Sequence, residues 1–292
     1  MKNTLLRAPL LVAAAALLSP ALQAQQPAPP ALTFPQASPP ATISQRVGLT
    51  DIEIQYCRPG AKGRVVFGDL VPFGEVWRTG ANAATTIRFS TDVKLGGQAV
   101  PAGTYSLFTI PDAREWTIIL NKVADQFGAF SYDASQDLLR VKAPVTALPA
   151  PLESFTIGVD ELGVHSAMLT LAWEKTAVRV PIEIDLVGQM VPKIQAAMAA
   201  EGKKPYLQAA MFYYDNDLDL GQARQWMEAA IQEQPEPPTW MVYRHGLILK
   251  KAGDKAGALA SAKWSLELAE KAGGELGAEY KRLNEELIAS LK

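Results

Sequence analysis

One cysteine, Cys57, and two histidines, His165 and His245, are all that this chain of 292 residues offers of those two types. A single cysteine excludes an intrachain disulfide, so a buried core must hold the fold, and a chain of this length can supply one in each of two domains. Cys57 follows the alternating set Ile52, Ile54, Tyr56 with no histidine near it in sequence, and it reads as a structural thiol. The two histidines have no partner at metal-ligand spacing, and H-E-x-x-H, paired cysteines and G-x-S-x-G are all missing. Zinc hydrolysis and the usual serine esterase arrangement therefore have no support. His165 reads as a strand-start residue after Glu161-Leu162-Gly163. No metal, no cofactor and no catalytic residue is assigned. The charge balance, 28 Lys+Arg against 30 Asp+Glu, with no long basic stripe, argues against nucleic acid as the main partner.

Long apolar runs are also scarce. The one near the start, Leu10 to Leu18, is too short to span a bilayer with ease, and no later stretch is long and apolar enough to be a membrane helix. With Lys2 and Arg7 ahead of it, Pro20 behind it and a small residue at Ala24, it has the plan of a secretory signal peptide over residues 1–24. The mature chain is expected to start near Gln25. No cysteine follows the apolar run to carry a lipid, so the expected location is periplasmic or secreted, without membrane insertion of the mature chain. Residues 25–40, rich in Pro, Ala and Gln with almost no charge, read as an extended linker.

Beyond the linker the chain is patterned in two ways. Over about 41–190 it alternates apolar and polar residues in short runs broken by Gly, Pro, Asn and Asp, an antiparallel β pattern of eight to ten strands that packs most naturally as a sandwich. Val93 and Leu95 lead into Gly96-Gly97, a two-residue hairpin turn. SFTIGV, AMLTLAW and TAVRVPIEI are the late strands, with Glu174-Lys175 as a tight connection, and Pro181 calls for an edge or a solvent-facing position. After Val191-Pro192 the period moves toward 3.6 and Ala, Leu, Met, Glu and Lys take over. Within 191–292, residues 219–231 align with 254–268 at an offset of 35, placing Ala223 over Ala258, Met227 over Ala262 and Ile231 over Leu266. That offset is close to the roughly 34-residue repeat of tetratricopeptide helix pairs. The expected fold is thus β + α in two domains: an antiparallel β-sandwich, then a short tetratricopeptide-like helical array.

Residues 56–87 fit neither pattern. They hold Arg58, Lys62, Arg64, Arg78 and Asn82 among glycines and prolines, with Phe67, Phe73 and Trp77 interleaved, the composition of a structured surface loop. The basic residues point either to an anion site, since Arg offers a planar fork, or to a structural role in which Arg58 and Arg78 pair with buried carboxylates or cap carbonyls. The aromatics point either to a ring-binding cleft or to anchors in the core. Asp69 and Glu75 are the only acids in the segment. Two other patterns fail. Asp215, Asn216, Asp217 and Asp219 begin like a calcium loop, but Leu220 takes the glycine position and Trp226 that of the bidentate Glu. AKGRVVFG lacks the G-K-S/T end of a phosphate loop.

The segments YCRPGAKGRVVFGDLVPFGEVWRTGANAATTIRF, PAGTYSLFTIP and LTLAWEKTAVRVPIEI resemble the DUF2911 family of exported bacterial proteins of unknown function, over about residues 41–190. The resemblance brings no catalytic residues. It implies that Arg58, Lys62, Gly63, Arg64, Trp77, Arg78, Thr79, Gly80, Asn82 and Thr85 are family motif positions.

The expected function is a non-enzymatic binding module that takes a polar or anionic ligand, such as a glycan or envelope component, on Arg58, Lys62, Arg64, Trp77, Arg78, Asn82 and Thr85, with a protein partner recruited by the helices. One alternative is a hydrolase of unfamiliar type acting on envelope material, with Asp69 or Glu75 as its acids. The other is a scaffold that interacts through the helical domain alone.

Overall fold

Alternation builds the strands. In β2 (Thr50–Cys57) the residues Thr50, Ile52, Ile54 and Tyr56 are buried while those between them are not, the period of two that a strand imposes on its side chains. The computed structural model describes residues 34–292. The predicted export signal at 1–24, and residues 25–33 of the predicted linker, lie outside the described residues. Ser38–Lys292 form one compact unit, a large antiparallel sheet of nine strands followed by six helices.

The other strands are β1 (Pro40–Val47), β3 (Thr85–Phe89), β4 (Val93–Leu95), β5 (Gln98–Val100), β6 (Gly103–Ile110), β7 (Glu115–Asn121), β8 (Asp137–Asp160) and β9 (Ser166–Glu183). Their order across the sheet is β1-β2-β3-β6-β7-β8-β9-β4-β5. The expected hairpin at Gly96-Gly97 is present between β4 and β5; both glycines have positive φ, and a Cβ on Gly96 would collide with Val141. One expected break, at Glu174-Lys175, is continuous strand instead, and β8 is longer than the run SFTIGV. β8 pairs with β7 through residues 137–144 and with β9 from Val145 onward, and its register shifts on either side of Leu152. Pro149 and Pro151, which lack the ladder donor, fall in that unpaired interval. Opposite it, Glu174 takes φ 52° within β9, which runs on where the sequence suggested a turn between two strands, and the extra residues of the irregularity lie in β8. Pro181 is exposed and lies just outside both of the ladders that β9 makes.

The sheet curls so that the far end of β8 returns to the end of β2. Gly60 bridges Ser154, the Phe155 N–H donates to the Pro59 carbonyl at 2.9 Å, and the Ile157 N–H donates to the Tyr56 hydroxyl at 3.1 Å. The main core fills the enclosed face and includes Trp77, Trp116, Phe155 and Trp173. A smaller cluster, Ala84, Phe108 and Ile119, lies apart from it, with Val76, Ala129 and Tyr132 packed on it.

The helices are α1 (Leu186–Ala199), α2 (Tyr206–Asp215), α3 (Leu220–Gln232), α4 (Thr239–Lys251), α5 (Lys255–Ala272) and α6 (Gly274–Ser290). Helix begins five residues ahead of Val191, because Asp185 caps α1 by accepting the Gly188 N–H; Pro192 lies inside α1. The starts of α3 and α5 are 35 residues apart, and each is capped by an aspartate: Asp219 accepts from the Gln222 N–H and Asp254 from the Gly257 N–H. Ala223, Ala258, Met227 and Ala262 are fully buried. Gly246 of α4 admits Leu287 of α6 so closely that a Cβ there would lie 3.2 Å from Leu287 Cδ2. Leu186 belongs to the core of the sheet, while Met190 and Phe212 pack on both that core and the helical one. Among the described residues no helix is long and apolar enough to cross a membrane.

Candidate functional site

Residues 58–84 link β2 to β3, and their internal order comes from specific contacts with β6, β8 and β9. Trp77 exchanges both backbone hydrogen bonds with Thr109 of β6, at 2.7 and 2.9 Å. Its indole is buried among Phe67, Trp116, Phe155 and Trp173, 5.0 Å from the Phe155 ring and stacked on Trp173 at 5.9 Å, and its Nε1–H donates to the Gly80 carbonyl at 3.1 Å. Ring pairs of this kind contribute about 0.5–1.5 kcal/mol each beyond their buried area. Phe67 is anchored in the same way, 4.6 Å from Trp116. Phe73 is exposed and rests on Gly68, whose φ of 94° leaves room that a Cβ would take.

The turn after Trp77 is strained. Thr79 has φ 56° and Asn82 φ 59°, and a β-branched residue in the left-handed region is an outlier that its surroundings must hold in place. They do so at several points. The buried Thr79 hydroxyl donates to the Trp77 carbonyl and to Thr109 Oγ1, and the Thr85 hydroxyl donates to the Thr79 carbonyl at 2.6 Å. A Cβ on Gly80 would lie 3.0 Å from the Cys57 carbonyl. Asn82 donates from Nδ2 to the Ser38 carbonyl at 3.5 Å, and its own carbonyl accepts from Gly128.

The basic residues of the segment divide sharply. Arg58 donates from Nε to the Phe155 carbonyl at 3.0 Å and from Nη2 to Thr156 Oγ1 at 2.8 Å, tying the start of the loop to β8. Arg64 closes its own turn, donating to the Ala61 and Gly60 carbonyls at 3.0 and 2.7 Å. Lys62 is exposed and is held by its backbone N–H, which donates to Glu153 Oε1 at 2.8 Å. Arg78 differs from all three. It is half-buried, its Nε is sealed from solvent with no hydrogen-bond partner among the described residues, and burial pushes its guanidinium below its ordinary pKa against the opposing effect of the Cys57 thiol.

Arg78 lines a cavity of about 390 Å³ together with Arg64, Glu75, Trp77 and Trp173. The structure therefore brings Arg64, Trp77 and Arg78 of the predicted set to one cavity, and leaves Arg58, Lys62, Asn82 and Thr85 outside its lining. Glu75 lines the cavity without pairing to Arg78, and Asp69 does not line it. Trp173, from β9, and Ser38 are lining residues that sequence reasoning missed. Trp173 stood in a late alternating run with nothing to separate it from an ordinary core aromatic. Among the described residues no group of three or more His, Cys, Asp or Glu is placed to hold a metal ion.

Residues 38–182 match the model of a family described as a protein of unknown function, DUF2911, and this match supports the resemblance carried by the R-P-x-x-K-G-R and W-R-T-G-A-N segments. No curated protein and no solved structure matches the chain.

Proposed function

We propose that this protein is an exported, non-enzymatic binding module that takes a polar, anionic ligand on Arg78. One observation carries the reading: a half-buried guanidinium with its Nε unpartnered, lining a cavity of about 390 Å³. A cation withdrawn from water without a carboxylate is costly unless something else meets it, and the strained Thr79–Asn82 turn beside it is the kind of backbone that clusters at binding sites. The curled nine-stranded sheet is read as a sandwich that carries the site. The helices are read as a tetratricopeptide-like array that recruits a protein partner, a reading supported by the 35-residue spacing of α3 and α5. The hydrolase alternative would rest on Glu75 alone, since its second acid does not line the cavity.

The test is a thermal-shift series on the full chain with acetate, phosphate, sulfate, glucuronate and N-acetylglucosamine. A ligand at about 100 times its Kd stabilises the native state by about 2.7 kcal/mol. At least one anion should raise the melting temperature of the wild type and leave Arg78→Ala unmoved. An equal shift in Arg78→Ala would remove the cavity as the site.

A further inference from the structure

Resting on the reading of the Arg78 cavity as a ligand site, we propose that its ligand is a small organic monocarboxylate on an apolar body, and neither a phosphate nor a neutral sugar. The charges on the wall set the first limit. Arg64 already turns Nε and Nη2 toward backbone carbonyls, whereas Arg78 has a buried Nε with no partner among the described residues, so Arg78 is the guanidinium with most to gain from an anion, and it shares the lining with the Glu75 carboxylate. A phosphate monoester carries about 1.5 to 2 negative charges at neutral pH and calls for several donors. Glu75 opposes it. A carboxylate carries one charge, is planar and fits a single guanidinium fork.

The remaining polar groups set the second limit. Both indole N–H groups are taken, Trp77 by the Gly80 carbonyl and Trp173 by the Glu153 carbonyl, which leaves Ser38 as the only other side-chain hydroxyl or amide on the lining among the described residues. A pyranose would bring more hydroxyls than the side chains of this lining can pair, and unpaired buried hydroxyls are costly. Nor is there an open ring face for a sugar to stack on, because Trp77 and Trp173 lie against each other with 19° between their planes and are 7% and 1% exposed. Pro59, Leu70, Val71, Pro72 and Val76 supply an apolar part of the lining that suits a hydrocarbon body, in a volume within the small-molecule range.

Isothermal titration of the full chain with hexanoate, benzoate, acetate, inorganic phosphate and glucose tests this. Hexanoate and benzoate should bind at least about tenfold more tightly than acetate, because burying two methylenes already supplies that ratio, and phosphate and glucose should be weaker still. Arg78→Lys should weaken hexanoate by about tenfold or more, since an ammonium does not reproduce the planar fork. Leu70→Glu, at a position 39% exposed where the substitution spares the fold, should weaken it as well. Glu75→Gln should let phosphate bind measurably. Arg78-dependent binding of phosphate or glucose, with no preference for hexanoate over acetate, would overturn the ligand class and keep the site. If none of the five probes binds in a way that responds to Arg78→Lys, the class and the site both fall.

Discussion

Arg58 and Arg78 lie toward the two ends of one loop and are expected to respond unequally to the same truncation. Arg58→Ala removes two hydrogen bonds from a charged donor, to the Phe155 carbonyl at 3.0 Å and Thr156 Oγ1 at 2.8 Å. Hydrogen bonds to charged groups contribute about 1.5–3 kcal/mol each, net of exchange with water; both of these are only part-buried, so a loss of about 2–4 kcal/mol, below their full sum, is expected. Arg78→Ala removes no hydrogen bond made by Nε, and it relieves a buried N–H whose lack of a partner costs about 1–3 kcal/mol. Lost packing of its stem works the other way, leaving a net change within about 1 kcal/mol of zero. The assay is urea denaturation of the unliganded protein followed by tryptophan fluorescence, with the two variants compared by their midpoints. A loss in Arg78→Ala as large as that in Arg58→Ala would mean that Arg78 holds the fold together, and the case for a ligand-facing cation would collapse.

Two pH predictions come from half-buried titratable groups. His245 Nδ1 shares a 3.1 Å hydrogen bond with the Ser261 hydroxyl, which also donates to the Val242 carbonyl, while Nε2 stands 3.6 Å from Glu228 with Arg224 and Asp254 nearby. Burial lowers its pKa below the ordinary 6.5 despite Glu228, so the unfolded chain takes up the proton first. Stability should be complete above pH 6.5 and fall as the pH drops from there toward the depressed folded value, and His245→Gln should flatten that slope in urea midpoints taken between about pH 8 and about pH 5; an unchanged slope would clear His245 of the effect. Burial and the neighbouring Asp137 push Tyr132 up to about 12 from 10.0. The folded state then holds the phenolic proton more tightly, so this contribution is intact below pH 10 and lost as the pH climbs toward 12. Tyr132→Phe removes the 2.7 Å bond to Asp137 and the acceptor for Arg140; it should cost about 1–2 kcal/mol and delete one late-ionising phenol from an ultraviolet titration. A titration curve identical to that of the wild type would contradict the assignment.

Much of this architecture was legible because periodicity is local. The alternation around Ile52 to Tyr56 and the Gly96-Gly97 turn are readable in windows of a few residues, and the 35-residue offset of residues 219–231 and 254–268 by aligning two such windows. The limits of β8 and β9 were not. Glu174-Lys175 has turn composition, and only the partner strand across from it decides whether the chain turns there or runs on as one strand. The loop was legible as a candidate site from its composition, but the roles within it were not. Three arginines that look alike in sequence separate into two that cap carbonyls and one left unpartnered at Nε, and the carbonyl of Phe155 and the side chain of Thr156 that decide the matter lie 97 and 98 residues away. Trp173 escaped notice for the same reason.

Those separations bear on when the cavity can exist. The first part of the loop is fastened by Glu153, Phe155 and Thr156, and its far wall includes Trp173. A chain emerging from its N-terminus has the whole motif in hand long before these partners arrive, and closing so long a span is slow because its entropy is lost before the contacts repay it. The cavity is therefore expected to be among the last parts of the strand-rich region to take shape. Occupancy of the cavity would then report completion: a ligand held there distinguishes a finished molecule from one still missing its last strands, and a nascent chain passes through its vulnerable stages empty.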